Sequence, residues 1–160
     1  MRKIIKIISI VAVLLAATSG CSLNTGIKVY NDEKMIVKNY DSYNLIRSRQ
    51  NVKNNCISGS AERMEGMGTI WKLNADAPTD INISYKIKVS SGKAKLVLIS
   101  PDNTVTELAE CTPESDFEQK ESDTFHVDAG KNRIKLIGAK DTKIEFEISA
   151  DKGDIRTFND

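Results

Sequence analysis

The sequence predicts an all-β protein, an antiparallel β-sandwich rich in meander connections and of jelly-roll or immunoglobulin-like type. Three observations carry that prediction. Ile81, Ile83, Tyr85, Ile87 and Val89 alternate with polar residues through 81–90, and the period of two puts one apolar face on a half-buried strand. Ile144, Phe146 and Ile148 repeat the pattern against Lys143, Glu145 and Glu147. Turn-forming residues punctuate the chain at short intervals, as strands joined into a sandwich require.

In chain order, residues 34–39 read as a first strand. The stretch 41–55 has neither a clean helical nor a clean strand period and leaves room for one short helix. Residues 68–73, around Trp71, read as a strand. Residues 81–90 follow, and Ser91-Gly92-Lys93 reads as a hairpin turn into a returning strand at 94–100. Because residues 95–99 are apolar on both faces, that strand is expected to lie centrally. Pro101-Asp102-Asn103 supplies a second turn, with proline pre-setting φ, and leads into 104–110. Short strands at 124–127 and 132–137 follow, and residues 138–141 turn the chain into 142–149. The domain is expected over 34–150, with 151–160 as a C-terminal tail.

The N-terminus carries a different message. Arg2, Lys3 and Lys6 precede an apolar run over 7–17, then the small residues Thr18, Ser19 and Gly20, then Cys21. The run is shorter than the roughly 20 residues that span a bilayer, so an export signal is the better reading. Small residues before a cysteine resemble the lipobox of bacterial lipoprotein signal peptides, although Thr18 stands where leucine is usual. The resemblance implies cleavage between Gly20 and Cys21 and a diacylglycerol thioether on Cys21. Two acyl chains, at about 0.8 kcal/mol per buried methylene, anchor a protein stably. Residues 1–20 are then the signal peptide and 21–33 a lipidated tether. The mature protein would sit on the extracytoplasmic face of the cell membrane.

Removal of Arg2, Lys3 and Lys6 from the 23 basic residues leaves 20 against 22 acidic ones, a net charge of −2. So balanced a chain offers no strong overall field for nucleic acid or anionic lipid. With Cys21 lipidated, Cys56 and Cys111 form an even pair in an exported protein, either a disulfide or two core thiols. No other cofactor or metal is expected. His126, the only histidine, lies between Phe125 and Val127 and reads as an exposed strand residue. No nucleophile elbow, zinc helix or phosphate loop is present, so no enzyme is expected. Five carboxylates between Glu114 and Asp123 invite calcium, but without the glycine of an EF-hand loop they read as a solvated loop.

Binding remains. Trp71 reads as a core residue, with a sugar-stacking surface as its alternative, and Tyr30, Tyr40 and Tyr43 are further candidates for an aromatic platform. Lys86, Lys88, Lys93 and Lys95 form a basic stripe across the predicted hairpin. Such a stripe protects a wet face from edge pairing, and could alternatively touch teichoic acid or phospholipid headgroups. The function class is a membrane-anchored, non-enzymatic binding or envelope-structural module, with a carbohydrate- or cell-wall-binding module as alternative. Its partners would be the membrane and a cell-wall or envelope protein.

Four segments carry a family resemblance: Ile70-Trp71-Lys72, Ile83-Ser84-Tyr85-Lys86-Ile87, Ser91-Gly92-Lys93 and Ile99-Ser100-Pro101-Asp102. Together they resemble small lipoproteins of Gram-positive bacteria, clostridial or bacillar in type. That resemblance covers about a quarter of the chain and implies an anchored β-domain of unknown function, with no catalytic residues to carry over.

Overall fold

The computed structural model describes residues 25–115 and 121–160, with side chains from residue 28 onward. Two short helices, α1 (Thr25–Asn31) and α2 (Glu33–Ile36), precede nine strands. These are β1 (Ser42–Ile46), β2 (Arg49–Lys53), β3 (Cys56–Ala75), β4 (Thr79–Ser91), β5 (Ala94–Ile99), β6 (Val105–Cys111), β7 (Glu121–Val127), β8 (Gly130–Ala150) and β9 (Asp154–Ile155). Every strand pairing is antiparallel.

The architecture rests on the two long strands. β3 and β8 pair from Cys56–Ser149 to Ala75–Gly130, and each serves both layers of a sandwich. In the first layer, sheet A, the order is β2, the first half of β3, the second half of β8, β4 and β7. In sheet B the second half of β3 and the first half of β8 continue to β5 and β6, with β9 on the outer side of β3. β1 runs along β3 where the two layers meet. The ladder is irregular there, between Ala61 and Gly66, as expected where strands pass from one layer to the other through bulges. Gly66 sits at that point with φ +98°, and a Cβ on it would lie 2.1 Å from the Ser42 carbonyl oxygen. Only glycine admits both the backbone and the contact.

The main core lies between the layers. The alternating Ile81, Ile83, Tyr85, Ile87 and Val89 of β4 meet Leu96 and Leu98 of β5, Ile134 and Leu136 of β8, and Ile144, Phe146 and Ile148 from its second half. A smaller cluster lies outside sheet B, where Val29, Tyr30 and Ile36 cover Met67, Val97, Ile99 and Ile137. This explains the apolar character of both faces of β5. The strand lies one from the edge, and the helical segment covers its second face.

Several expectations are corrected. Within the expected tether and first strand, residues 25–31 and 33–36 are helical: the Asp32 side chain accepts a hydrogen bond from Met35 N and caps α2, and buried Tyr30 and Ile36 tie the segment to the sheet. Residues 41–55 contain no helix. β1 and β2 follow one another along β3, interrupted at Arg47 (φ 49°), and Asn54-Asn55, both at positive φ, close the β2–β3 hairpin. Ser91-Gly92-Lys93 is not a hairpin turn, because β4 and β5 do not pair; it carries the chain from sheet A to sheet B. Residues 138–141 do not separate two strands but form the irregular middle of β8. The C-terminal tail is also packed, through β9 and buried Phe158.

Candidate functional site

The outer face of sheet A carries a groove of about 680 Å³ centred on β3 and β8. Its chemistry follows from the pleat. Ile57 and Ala61 point into the core, so Ser58 and Ser60 point out; Ile144, Phe146 and Ile148 point in, so Glu145 and Glu147 point out. Register then aligns two cross-strand rows. Arg49, Ser60, Glu145 and Lys88 form one. Asn51, Ser58, Glu147 and Lys86 form the other. Each row passes from a donor-rich edge over a hydroxyl and a carboxylate to an ammonium group.

The groove floor is held rigidly. A Cβ on Gly59 would meet the Phe146 ring at 2.6 Å and the Arg49 carbonyl oxygen at 2.9 Å, so glycine lets the ring press against β3 directly beneath the groove. At one end the Gln50 side chain accepts a 2.9 Å hydrogen bond from Phe158 N, which fixes β2 to the C-terminal segment. Among the described residues, no hydrogen bond or ion pair engages the side chains of Arg49, Lys86 or Glu145. These charged groups are exposed and open to a ligand. A volume in the range of small-molecule sites, combined with convergent donors and acceptors, makes this the candidate binding surface.

The residues singled out in the sequence are distributed otherwise. Trp71 is corrected as a ligand-binding candidate: it is fully buried, and its indole N–H donates to the Lys152 carbonyl at 2.7 Å. The three tyrosines form no platform. Tyr30 is buried and donates to Glu110 at 2.7 Å, Tyr43 packs on Phe158 and donates to its carbonyl, and Tyr40 alone is exposed. The basic stripe is divided. Lys86 and Lys88 face outward from sheet A, whereas Lys93 and Lys95 lie over the Tyr30 ring outside sheet B, beside Glu110 and Glu107.

Cys56 and Cys111 are not bonded to each other. The pleat gives the reason. Ile57 points into the core, which turns Cys56 to the outer side of sheet A, whereas Cys111 is fully buried between the layers. Burial pushes the Cys111 thiol up to about 12, with the Glu110 charge adding to the effect. Gly20 and Cys21 lie outside the described residues, as do residues 116–120 of the acidic stretch. Among the described residues no group of three or more histidine, cysteine or acidic side chains is placed to hold a metal ion.

His126 does have a carboxylate in reach, since Nδ1 lies 2.8 Å from Asp80 Oδ1. The two residues are direct cross-strand neighbours of β4 and β7, and both are well exposed. Asp80 is the sole hydrogen-bond partner of this histidine among the described residues. Among the described residues no hydroxyl or thiol hydrogen-bonds this exposed imidazole.

Another cluster was not legible in the sequence. Lys135, fully buried on the outer side of β8, donates to the carbonyls of Lys38 at 2.8 Å and Tyr40 at 2.9 Å and approaches Asp41 at 3.4 Å. Arg133 donates to the Val37 carbonyl. Burial lowers the pKa of both cations, and Asp41 partly offsets the shift. These two side chains satisfy carbonyls at the C-cap of α2 and just beyond it, fastening the helical segment to sheet B.

No protein-family model matches the chain, and comparison with curated proteins finds no relative. Solved structures give distant likenesses. The pre-peptidase C-terminal domain of a collagenase from Bacillus anthracis is 12% identical, with 69% of this chain and 89% of that chain covered, at a TM-score of 0.37. A carbohydrate-binding module of lichenase 5A from Cellvibrio mixtus, in complex with cellotriose, is 8% identical over 71% and 91%, at 0.41. A family 35 carbohydrate-binding module from Paenibacillus barcinonensis is 11% identical over 71% and 98%, at 0.38. Likenesses this distant carry nothing about ligand or residue roles. The chain itself is an antiparallel β-sandwich with a charged, hydroxyl-lined groove on one outer face.

Proposed function

We propose that this protein is an exported module, anchored to the membrane by a lipid on Cys21, that binds a ligand in the groove of sheet A without transforming it. The observation that carries the binding reading is the groove itself: two parallel rows of hydroxyl, amide, carboxylate and cationic groups above a packed floor. The anchor rests on the order of basic, apolar and small residues before Cys21.

The ligand class that suits the groove best is an envelope glycan. Ser58, Ser60 and Asn51 offer neutral donors and acceptors, while Glu145 and Lys86 add charged ones, a mixture that matches closely spaced sugar hydroxyls. Among the described residues the aromatic side chain that lines the groove is Phe146, buried under Gly59, so affinity would come from hydrogen bonding without ring stacking, and weak, extended contacts are expected. Co-sedimentation with purified cell-wall glycan tests the reading. Retention of the native chain, together with loss in Ser60→Arg, which fills the groove, supports it. Equal retention of both, or of neither, overturns it.

A further inference from the structure

The helical segment between Cys21 and the sandwich presents a surface that the groove does not use. Only residues 22–24 separate Cys21 from the first residue of α1, so the Cα of Cys21 lies no further than about 14 Å from that of Thr25 even with the chain fully extended. α1 and α2 do not swing on that link. Val29, Tyr30 and Ile36 are buried on sheet B, and Arg133 and Lys135 hold the carbonyls of Val37, Lys38 and Tyr40. An anchor on Cys21 is therefore coupled to one face of a rigid body.

The outward side of that segment has the chemistry of a bilayer interface. Lys28, Lys34 and Lys38 are exposed, whereas of the three acids only Glu33 is, and half-buried Asp41 is already engaged by Lys135 and Thr69. Asp32 is partly occupied by the α2 cap. Tyr40 is the most exposed large hydrophobic residue among the described residues, at 51%, and its hydroxyl points to the Met35 sulfur at 3.7 Å. Amphipathic aromatic rings and lysines are the residues that settle at the headgroup level, where anionic lipid attracts the cations.

We infer that the α1–α2 face rests on the anionic surface of the bilayer that holds the anchor, and that the groove of sheet A consequently opens away from the membrane. The opposition follows from the sandwich: helices cover the outer side of sheet B, and the groove lies on the outer side of sheet A. This inference rests on the proposed lipidation of Cys21, and the test separates the two.

Full-length chains carrying Tyr40→Trp or Lys86→Trp are expressed with their leader, purified from membranes and reconstituted into phosphatidylcholine–phosphatidylglycerol vesicles with and without brominated acyl chains. Buried Trp71 contributes a common background to both. Bromolipid quenching of the new fluorophore in Tyr40→Trp, with none in Lys86→Trp, is expected. Equal quenching at both positions, at neither, or at Lys86→Trp alone, in protein whose mass shows diacylglycerol on Cys21, overturns the orientation and leaves the anchor standing. Protein whose Cys21 carries no lipid overturns the anchor and, with it, the orientation.

Discussion

Replacement of Lys135 by methionine tests the fastening of the N-terminal helices to sheet B. Methionine keeps most of the apolar stem and deletes the ammonium group. The Lys38 and Tyr40 carbonyls then lose their 2.8 and 2.9 Å donors, and Asp41 loses a cation at 3.4 Å. Breaking a buried ion pair on one side costs about 3–5 kcal/mol, because the remaining groups stay desolvated. Asp41 keeps its 2.7 Å hydrogen bond from Thr69 and is partly exposed, which places the expected loss near the lower end, about 3 kcal/mol. Urea unfolding followed by Trp71 fluorescence reads it as a lower midpoint. The slope should stay nearly unchanged if the helices remain seated and fall if they detach.

The same residue gives a pH signature. Burial lowers the folded-state pKa of Lys135, so the unfolded chain binds more protons between that value and the ordinary lysine value of about 10.4. Stability attributable to Lys135 therefore rises with pH through that window. Tyr85 opposes the rise, since its pKa is raised to about 12 and its contribution is lost as pH climbs above about 10. The difference between native and Lys135→Met chains isolates the lysine. A loss below about 1 kcal/mol, the size of an exposed pair, or a stability difference independent of pH, would refute the argument.

Other outcomes follow from the same structure. Gly66→Ala forces a Cβ against the Ser42 carbonyl at positive φ and should cost at least about 2 kcal/mol, measured by thermal unfolding. Cys111 should resist iodoacetamide in the native chain at neutral pH and react only in denaturant, as read by peptide mass, because its thiol is buried and raised to about 12. Trp71 should emit as a buried indole, insensitive to iodide, and should not respond when glycan is added, because it lies in the core and away from the groove.

The all-β class was legible because β4 and the second half of β8 each bury only one face, and a half-buried strand writes its period of two into the sequence. Where a strand is covered on both faces, the period disappears. β5 and the first half of β8 look uniformly apolar or mixed, and nothing in their sequence says that α1 lies over them. The Asn54-Asn55 turn was a usable signal for the β2–β3 hairpin, but 41–55 has weak apolar content because β1 and β2 are exposed edge segments. Ser91-Gly92-Lys93 shows a different limit: a turn sequence reports a change of direction and not which strand receives the chain. The groove was illegible for a related reason. Its rows are made by register among four strands, with Arg49 and Lys86 far apart in sequence, whereas the conspicuous Trp71, Tyr30 and Tyr43 serve the core, the helix contact and the C-terminal packing.

The central claim is that ligand binds on the outer face of sheet A. Backbone amide shifts of the isotopically labelled chain, titrated with soluble cell-wall glycan fragments, test it most directly. The account predicts saturable shifts concentrated at Ser58, Ser60, Glu145 and Lys86, absent in Ser60→Arg. Shifts confined to other surfaces, such as the Asp80–His126 pair, or no shifts at saturating glycan, would contradict it.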